Sequence, residues 1–293
     1  RIPRLTGGLG VSDGTVDGGA WQVEGLSLTV PSLAPDAVAY AYVRGTYTDA
    51  PSTPKGASPL RAPFNLRMQL ERPAADTPVR IEGLLTPQSG TWQLPTALVL
   101  SGPLHVGDDG LRIAPVKAGV RAEYRDGETR VPFTLGLHGP LRFAGGALTL
   151  TPMHAVLGGG GVVPALQGRG ALALQFTAST PPRDPLVLDL TGTLAAWPET
   201  WPALPPPIGA STSPLPFTLG YRGPVDVTGD TALALQRDAT TFDARLRLPE
   251  VLAWTDRTEG SPLPPLRGTL RSPRIEVSGA TLEGVEISIE DGE

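Results

Sequence analysis

One segment of this chain is written twice, and that repeat restricts the fold more than any other feature. Pro132-Phe133-Thr134-Leu135-Gly136-Leu137-His138-Gly139-Pro140-Leu141 returns as Pro216-Phe217-Thr218-Leu219-Gly220-Tyr221-Arg222-Gly223-Pro224-Val225, and a shorter copy opens at Pro63-Phe64-Asn65-Leu66. In each copy apolar residues fall on every second position, which places them on one face of an extended strand. The Gly-Pro step inside the two longer copies predicts a turn into the next strand. Repeated strand-turn-strand units bury their apolar faces by stacking on their neighbours. The predicted fold class is therefore all-β: a long, strongly curved antiparallel sheet, shaped as a groove or an open sandwich, with few short helices.

The same alternation recurs along the chain, at Leu26, Leu28 and Val30, at Leu98 and Leu100, at Leu186, Leu188 and Leu190, and at Val285, Ile287 and Ile289. Between these positions stand mainly Ser, Thr, Gln, Arg and Gly, so one face is predicted dry and the other wet. Asp108-Asp109-Gly110, Asp126-Gly127 and Gly145-Gly146 read as the turns of a meander. A short helix is predicted over Pro249–Trp254, with proline in its first turn.

With 36 glycines and 33 prolines in 293 residues, the chain far exceeds the average share of about 12% for those two residues. Long helices are thereby disfavoured. Its densest proline run, Trp197-Pro198 to Pro205-Pro206-Pro207, cannot donate ladder hydrogen bonds. The predicted organisation is a β-rich repeat region over 1–196, a proline-rich loop or linker over 197–214, and a continuation of the repeat region over 215–293. A net charge of -5 argues against nucleic acid as a partner, because phosphate contacts require a basic surface. Zero cysteines exclude thiolate metal sites and disulfides. No apolar run is long enough to cross a bilayer as a helix. The chain starts at Arg1, and it reads as a piece of a longer protein whose anchoring sequences lie elsewhere.

Catalytic patterns are poor. Gly10-Val11-Ser12-Asp13-Gly14 matches the spacing of a nucleophile elbow, but the glycines and aspartates after it cannot start a helix, so it reads as a turn. Gly158-Gly159-Gly160-Gly161 has no lysine or hydroxyl of a phosphate loop and reads as a strand connection. His105, His138 and His154 lack metal-ligand spacing, and no pair of carboxylates is marked for acid-base work. The expectation is a chain that is not an enzyme and holds no metal or cofactor.

Trp21-Gln22-Val23-Glu24-Gly25-Leu26-Ser27-Leu28-Thr29-Val30, Ile81-Glu82-Gly83-Leu84-Leu85-Thr86 and Leu270–Val285 share a cadence that resembles the AsmA family of bacterial envelope proteins. Gly145 to Leu174, closing on Gly168-x-Gly170-x-Leu172-x-Leu174, is similar to that family's strand-glycine-strand pattern. The likeness is one of rhythm over most of the chain, and the proline content around 197–216 departs from it. It implies a periplasmic segment of a protein of the AsmA and TamB type, anchored in the inner membrane by an N-terminal helix that is not in this sequence. Such proteins are thought to support outer-membrane assembly by moving phospholipid along a hydrophobic groove, with other envelope proteins as partners. Phe133, Leu135, Leu137, Phe217, Leu219 and Tyr221 are the candidate lining residues for a phospholipid or other acyl lipid. The same alternation also suits a closed sandwich, and an extracellular adhesin-like binding module is the alternative reading. A glycoside-active enzyme is a distant third.

Overall fold

A computed structural model describes residues 7–19, 21–34, 37–49, 58–71, 76–176, 185–195, 197–198, 204, 208–209, 211, 213–225, 227–255, 265–277 and 280–290. They form β1 (Gly7–Asp17), β2 (Trp21–Leu33), β3 (Ala39–Asp49), β4 (Arg61–Leu70), β5 (Thr77–Leu85), β6 (Gln88–Ser89), β7 (Trp92–Gln93), β8 (Thr96–Gly107) and β9 (Gly110–Asp126). These are followed by β10 (Thr129–Ala144), β11 (Ala147–Gly159), β12 (Leu166–Gln175), β13 (Leu186–Leu194), β14 (Leu215–Gly223), β15 (Asp230–Arg237) and β16 (Thr240–Arg247). A single short helix, α1 (Leu248–Thr255), precedes β17 (Leu266–Val277) and β18 (Ala280–Ile289). The all-β class, the antiparallel meander and the helix around Pro249 are as the sequence predicts. Most of the proline-rich stretch over 197–214 lies outside the described residues.

The chain divides into two compact units, Arg1–Ala155 with Gln175–Arg183, and Val156–Leu174 with Asp184–Glu293. In the first, β1 to β5 pair in succession, β8 joins β5, and β9 and β10 follow, all antiparallel. Partners in register share a face, so the registers define ranks across the sheet. One rank runs from Leu28 through Val43, Leu66, Gly83, Leu98 and Val120 to Leu135. The next runs through Ala41, Met68, Ile81, Leu100, Ala118 and Leu137. On the opposite face stand Arg67 and Glu82, ion-paired at 3.5 Å, with Arg80 3.0 Å from the same carboxylate. One face is thus apolar across every strand, and the other is wet.

The first unit's sheet rolls with its apolar face inward. The indole N–H of Trp21 donates to the carbonyl of Phe176, and the Phe176 ring meets Phe143 edge-on with centroids 6.2 Å apart. Trp21 is on β2 and Phe143 on β10, six strand spacings apart in the pairing order. On a flat sheet that is roughly 29 Å, far beyond what one phenylalanine can bridge. Both Trp21 and Phe143 lie on the apolar face, by their registers with Asp49 and Leu111. That face is therefore the concave one.

Two hairpins of the first unit are kinked. Gly102-Pro103 of β8 stands against cis-Pro115 of β9, and Gly139-Pro140 of β10 has the same relation to cis-Pro152 of β11. The ladder register shifts between Ser101 and Leu104 and again between Gly139 and Leu141. Gly139-Pro140 therefore lies within one long strand, opposite a bulge at Ala114-Pro115 of β9, and is not the turn the sequence predicts. A proline that cannot donate to the ladder is absorbed by the bulge instead of ending the strand. In the second copy of the repeat, β14 does end at Gly223 and a turn follows. Around the kinks Ile113, Val116, Val79, Leu150 and Met153 are buried.

Gly10-Val11-Ser12-Asp13-Gly14 also differs from its predicted turn. It lies within β1, paired to β2, with Asp13 at a φ of 61 and the register shifting between Val11 and Gly14. The extra residue is taken up at Ser12-Asp13, opposite Ser27, and this bulge keeps the strand going.

In the second unit β12 to β18 pair each with the next, all antiparallel. Phe217 faces Gly192 on one side and Leu235 on the other, and Leu235 faces Phe242, which faces Leu270. A side chain on Gly192 would meet the backbone of Gln167 and Gly168, so only glycine admits this close approach of β12 and β13. Leu190, Leu215, Phe217, Tyr221, Leu235, Ala244 and Leu270 are all buried. This unit has an ordinary closed core.

Candidate functional site

The six candidate lining residues fall in two different environments. Phe133, Leu135 and Leu137 alternate along β10 on the concave apolar face of the first unit, and all three are only half-buried. Their cross-strand partners Val120 and Ala118 are half-buried too, while Ala122 is 4% exposed. Phe217 and Tyr221 of β14 retain only 5% and 3% exposure, with Leu219 between them half-buried. The Tyr221 hydroxyl donates to the carbonyl of Pro224 at 2.6 Å and accepts from the amide of Gly229 at 3.1 Å. Phe217 fills the closed core of the second unit, and Tyr221 fastens the turn that follows β14.

The contrast between the units is physical. An eight-stranded barrel has an interior that side chains just fill, and wider rolls leave room for a ligand. The two central ranks of the first unit, made mainly of leucine, valine and alanine, are half-buried throughout, whereas Phe217 and Tyr221 of the second unit are buried.

Two copies of one constellation, which local sequence reading does not reveal, stand at the end of this face away from the kinks. Trp21 lies opposite Asp49 and stacks on Tyr47, with ring centroids 6.2 Å apart and planes 23° apart. Trp92 lies opposite Asp126 and stacks on Tyr124, at 6.3 Å and 26°. In both, the tyrosine precedes the aspartate by two positions on the same strand, so all three side chains share the concave face. All six are half-buried. Burial and the nearby negative charge of Asp49 push the Tyr47 phenol up to about 12. The Tyr124 hydroxyl donates to Asp126 at 3.4 Å. The recurring Tyr-x-Asp spelling was visible in the sequence, but its tryptophan partner is set by register and comes from another strand.

The remaining polar groups among the described residues that touch do so chiefly in pairs. His105 Nδ1 stands 3.3 Å from Asp76, and His138 meets His154 edge-on across β10 and β11 with ring centroids 6.0 Å apart. Among the described residues no three of His, Asp or Glu converge as a metal site, and no helix is long and apolar enough to cross a membrane. The Arg125 guanidinium, bonded at 3.0 Å, holds the half-buried Glu123 carboxyl below its ordinary range, with Arg130 adding to the effect. That is an ion cluster on the opposite face of the sheet.

No protein-family model matches this chain, and no curated protein or solved structure was found to be similar to it.

Proposed function

We propose that this chain is a non-enzymatic, AsmA-like segment that carries phospholipid along a hydrophobic groove and so supports outer-membrane assembly. In the full-length protein it would stand in the periplasm, tethered to the inner membrane. One observation carries the reading: a rolled sheet whose concave face is apolar on every strand from β2 to β10, yet half-exposed through its central ranks. Each methylene of an acyl chain moved from water onto such a surface contributes about 0.8 kcal/mol. A chain of ordinary length therefore gains ample free energy from a partly filled interior. Phe133, Leu135 and Leu137 are the lining residues on this face, and Leu219 is the half-exposed candidate in the second unit.

The test is native mass spectrometry of the chain purified from a bacterial host, followed by solvent extraction and lipid analysis. Co-purifying phospholipid that is lost in a Leu135→Asp variant, with little change in melting temperature, supports the reading. Bare protein, together with a collapse of stability in Leu135→Asp, indicates a closed core, because an unpaired buried charge is severely destabilising. In that case the carrier reading fails.

A further inference from the structure

We propose that the outer face of the first unit, centred on Leu84 and Val99 and bordered by Arg44, Lys117 and Arg121, is a docking surface for an anionic phospholipid bilayer. This surface lies on the side of the sheet away from the concave apolar face, and it does not depend on what that face holds.

The registers bring these residues together. Arg44 lies opposite Asn65, Asn65 opposite Leu84, Leu84 opposite Ala97, and Ala97 opposite Arg121. The neighbouring rank runs from Tyr42 through Arg67, Glu82 and Val99 to Gly119. In the next, Arg80 and Lys117 flank Ser101. Two observations set this face apart from an ordinary solvated one. Leu84 is 61% exposed and Val99 37%, as diagonal neighbours on adjacent strands, where the wet side of a sheet ordinarily carries polar groups. Around them the five basic side chains meet one acid, Glu82, which Arg67 and Arg80 already share. Arg44, Lys117 and Arg121 are exposed and make no ion pair among the described residues. In a chain of net charge -5, this patch therefore has the opposite sign.

A bilayer surface suits both components. A guanidinium group meets phosphate oxygens through two parallel hydrogen bonds, and an ammonium group adds a point charge. Basic side chains beside an anionic bilayer add their attractions, and an aliphatic side chain inserted at head-group depth adds its apolar area. The outer side of a roll is convex, so a flat surface meets it along only a few strands. β3, β4, β5, β8 and β9 follow one another in the pairing order, which makes the patch roughly 19 Å wide and matches such a narrow contact.

Flotation of the chain with intact vesicles tests the docking. Vesicles of equal parts phosphatidylcholine and phosphatidylglycerol are expected to carry the chain upward, and phosphatidylcholine alone to leave it behind. Salt at about 1 M should release it. The apparent affinity for the mixed vesicles is expected to fall about tenfold in Lys117→Glu/Arg121→Glu, and to fall measurably in Leu84→Ser/Val99→Ser. Arg245 and Arg267 are exposed cross-strand partners in the second unit, and Arg245→Glu/Arg267→Glu makes the same change in net charge. That variant should float as the unaltered chain does. Equal losses in the two charge-reversed variants would trace the binding to net charge and overturn the assignment to this face. Failure to float with either vesicle overturns it as well, while phospholipid recovered in the protein left behind would keep the carrier reading standing. Retention on immobilised poly-L-glutamate without flotation would assign the face to an acidic polypeptide and overturn bilayer docking.

Discussion

Trp21 on β2 and Phe176 just beyond β12 lie 155 positions apart and are joined by a hydrogen bond from the indole N–H to the backbone carbonyl. The Phe176 amide in turn donates to the carbonyl of Gly146 at 2.8 Å, so the contact links β2 to the turn between β10 and β11. It is the point at which the first unit's sheet, having run from β2 to β10, comes round to meet itself. Two aromatic rings and a polar bond at that point favour the rolled form over an open sheet, whose apolar face would be left in water.

Replacing Trp21 by Phe keeps most of the apolar contact but removes the only donor the side chain has. The expected loss is about 1 kcal/mol of unfolding free energy, as for a partly buried hydrogen bond. Urea denaturation followed by circular dichroism reads it. An unchanged midpoint would mean that the roll holds without this contact.

Gly139 takes a φ of 154, and a Cβ built on it would run into the carbonyl oxygen of Pro152 on β11. Gly119, on the neighbouring β9, has nothing within 4 Å of the same construction. Gly139→Ala is expected to destabilise by about 2 kcal/mol, and Gly119→Ala to be neutral within about 0.5 kcal/mol. Equal effects in thermal melts would show that the kinked hairpin does not depend on close approach at Gly139. Gly223, at the matching position of the second copy and with a φ of 158, would meet the Tyr221 hydroxyl and Gly229. Its alanine variant should therefore resemble that of Gly139.

Strand identity was legible wherever alternation was clean. Phe133, Leu135 and Leu137 lie on β10, as Phe217, Leu219 and Tyr221 lie on β14. β3 was harder to read because Tyr40 and Tyr42 on its wet face are as apolar in spelling as Ala41 and Val43 on its dry one. Tyr40 is there for the Arg67 guanidinium, 4.8 Å from its ring centroid. β1 was hidden by its glycines, and Gly139-Pro140 looked like a turn because the same dipeptide also serves inside a strand, opposite the bulge at Ala114-Pro115. The two Trp-Tyr-Asp triplets were out of reach for a different reason: side chains on separate strands meet only once the register is known, and no local pattern encodes it.

Tyr47 offers a pH test of its surroundings. Its phenol is held neutral to about 12, mainly by burial and also by Asp49. A free phenol titrates near 10. Between those values the unfolded chain gives up the proton that the native state keeps. The stability contributed is therefore whole below about pH 10 and is lost as pH rises toward 12. Alkaline titration of tyrosine absorbance should include a late-ionising component from Tyr47, and Asp49→Asn should move that component down toward the ordinary value. A late group unaffected by Asp49→Asn would assign the whole shift to burial.

In the second unit, the short piece at Ile208 fastens the chain just before β14. Ile208 is 1% exposed, and Arg237 Nη1 donates to its carbonyl at 2.7 Å and to that of Ser211 at 2.8 Å. The exposed Asp238 carboxyl is held below its ordinary range by the hydroxyls of Ser211 and Ser213, with Arg237 adding a smaller pull. A buried isoleucine cut to alanine loses its transfer free energy and leaves a cavity, at a cost of about 2–4 kcal/mol. Ile208→Ala should therefore lower the stability of the second unit by that amount. Hydrogen exchange should show the loss at the amides of β14 and β15 and leave those of β9 and β10 unchanged. Equal loss of protection in both sets would mean that the two units unfold as one, and no loss in either would mean that the clamp rests on the Arg237 bonds alone.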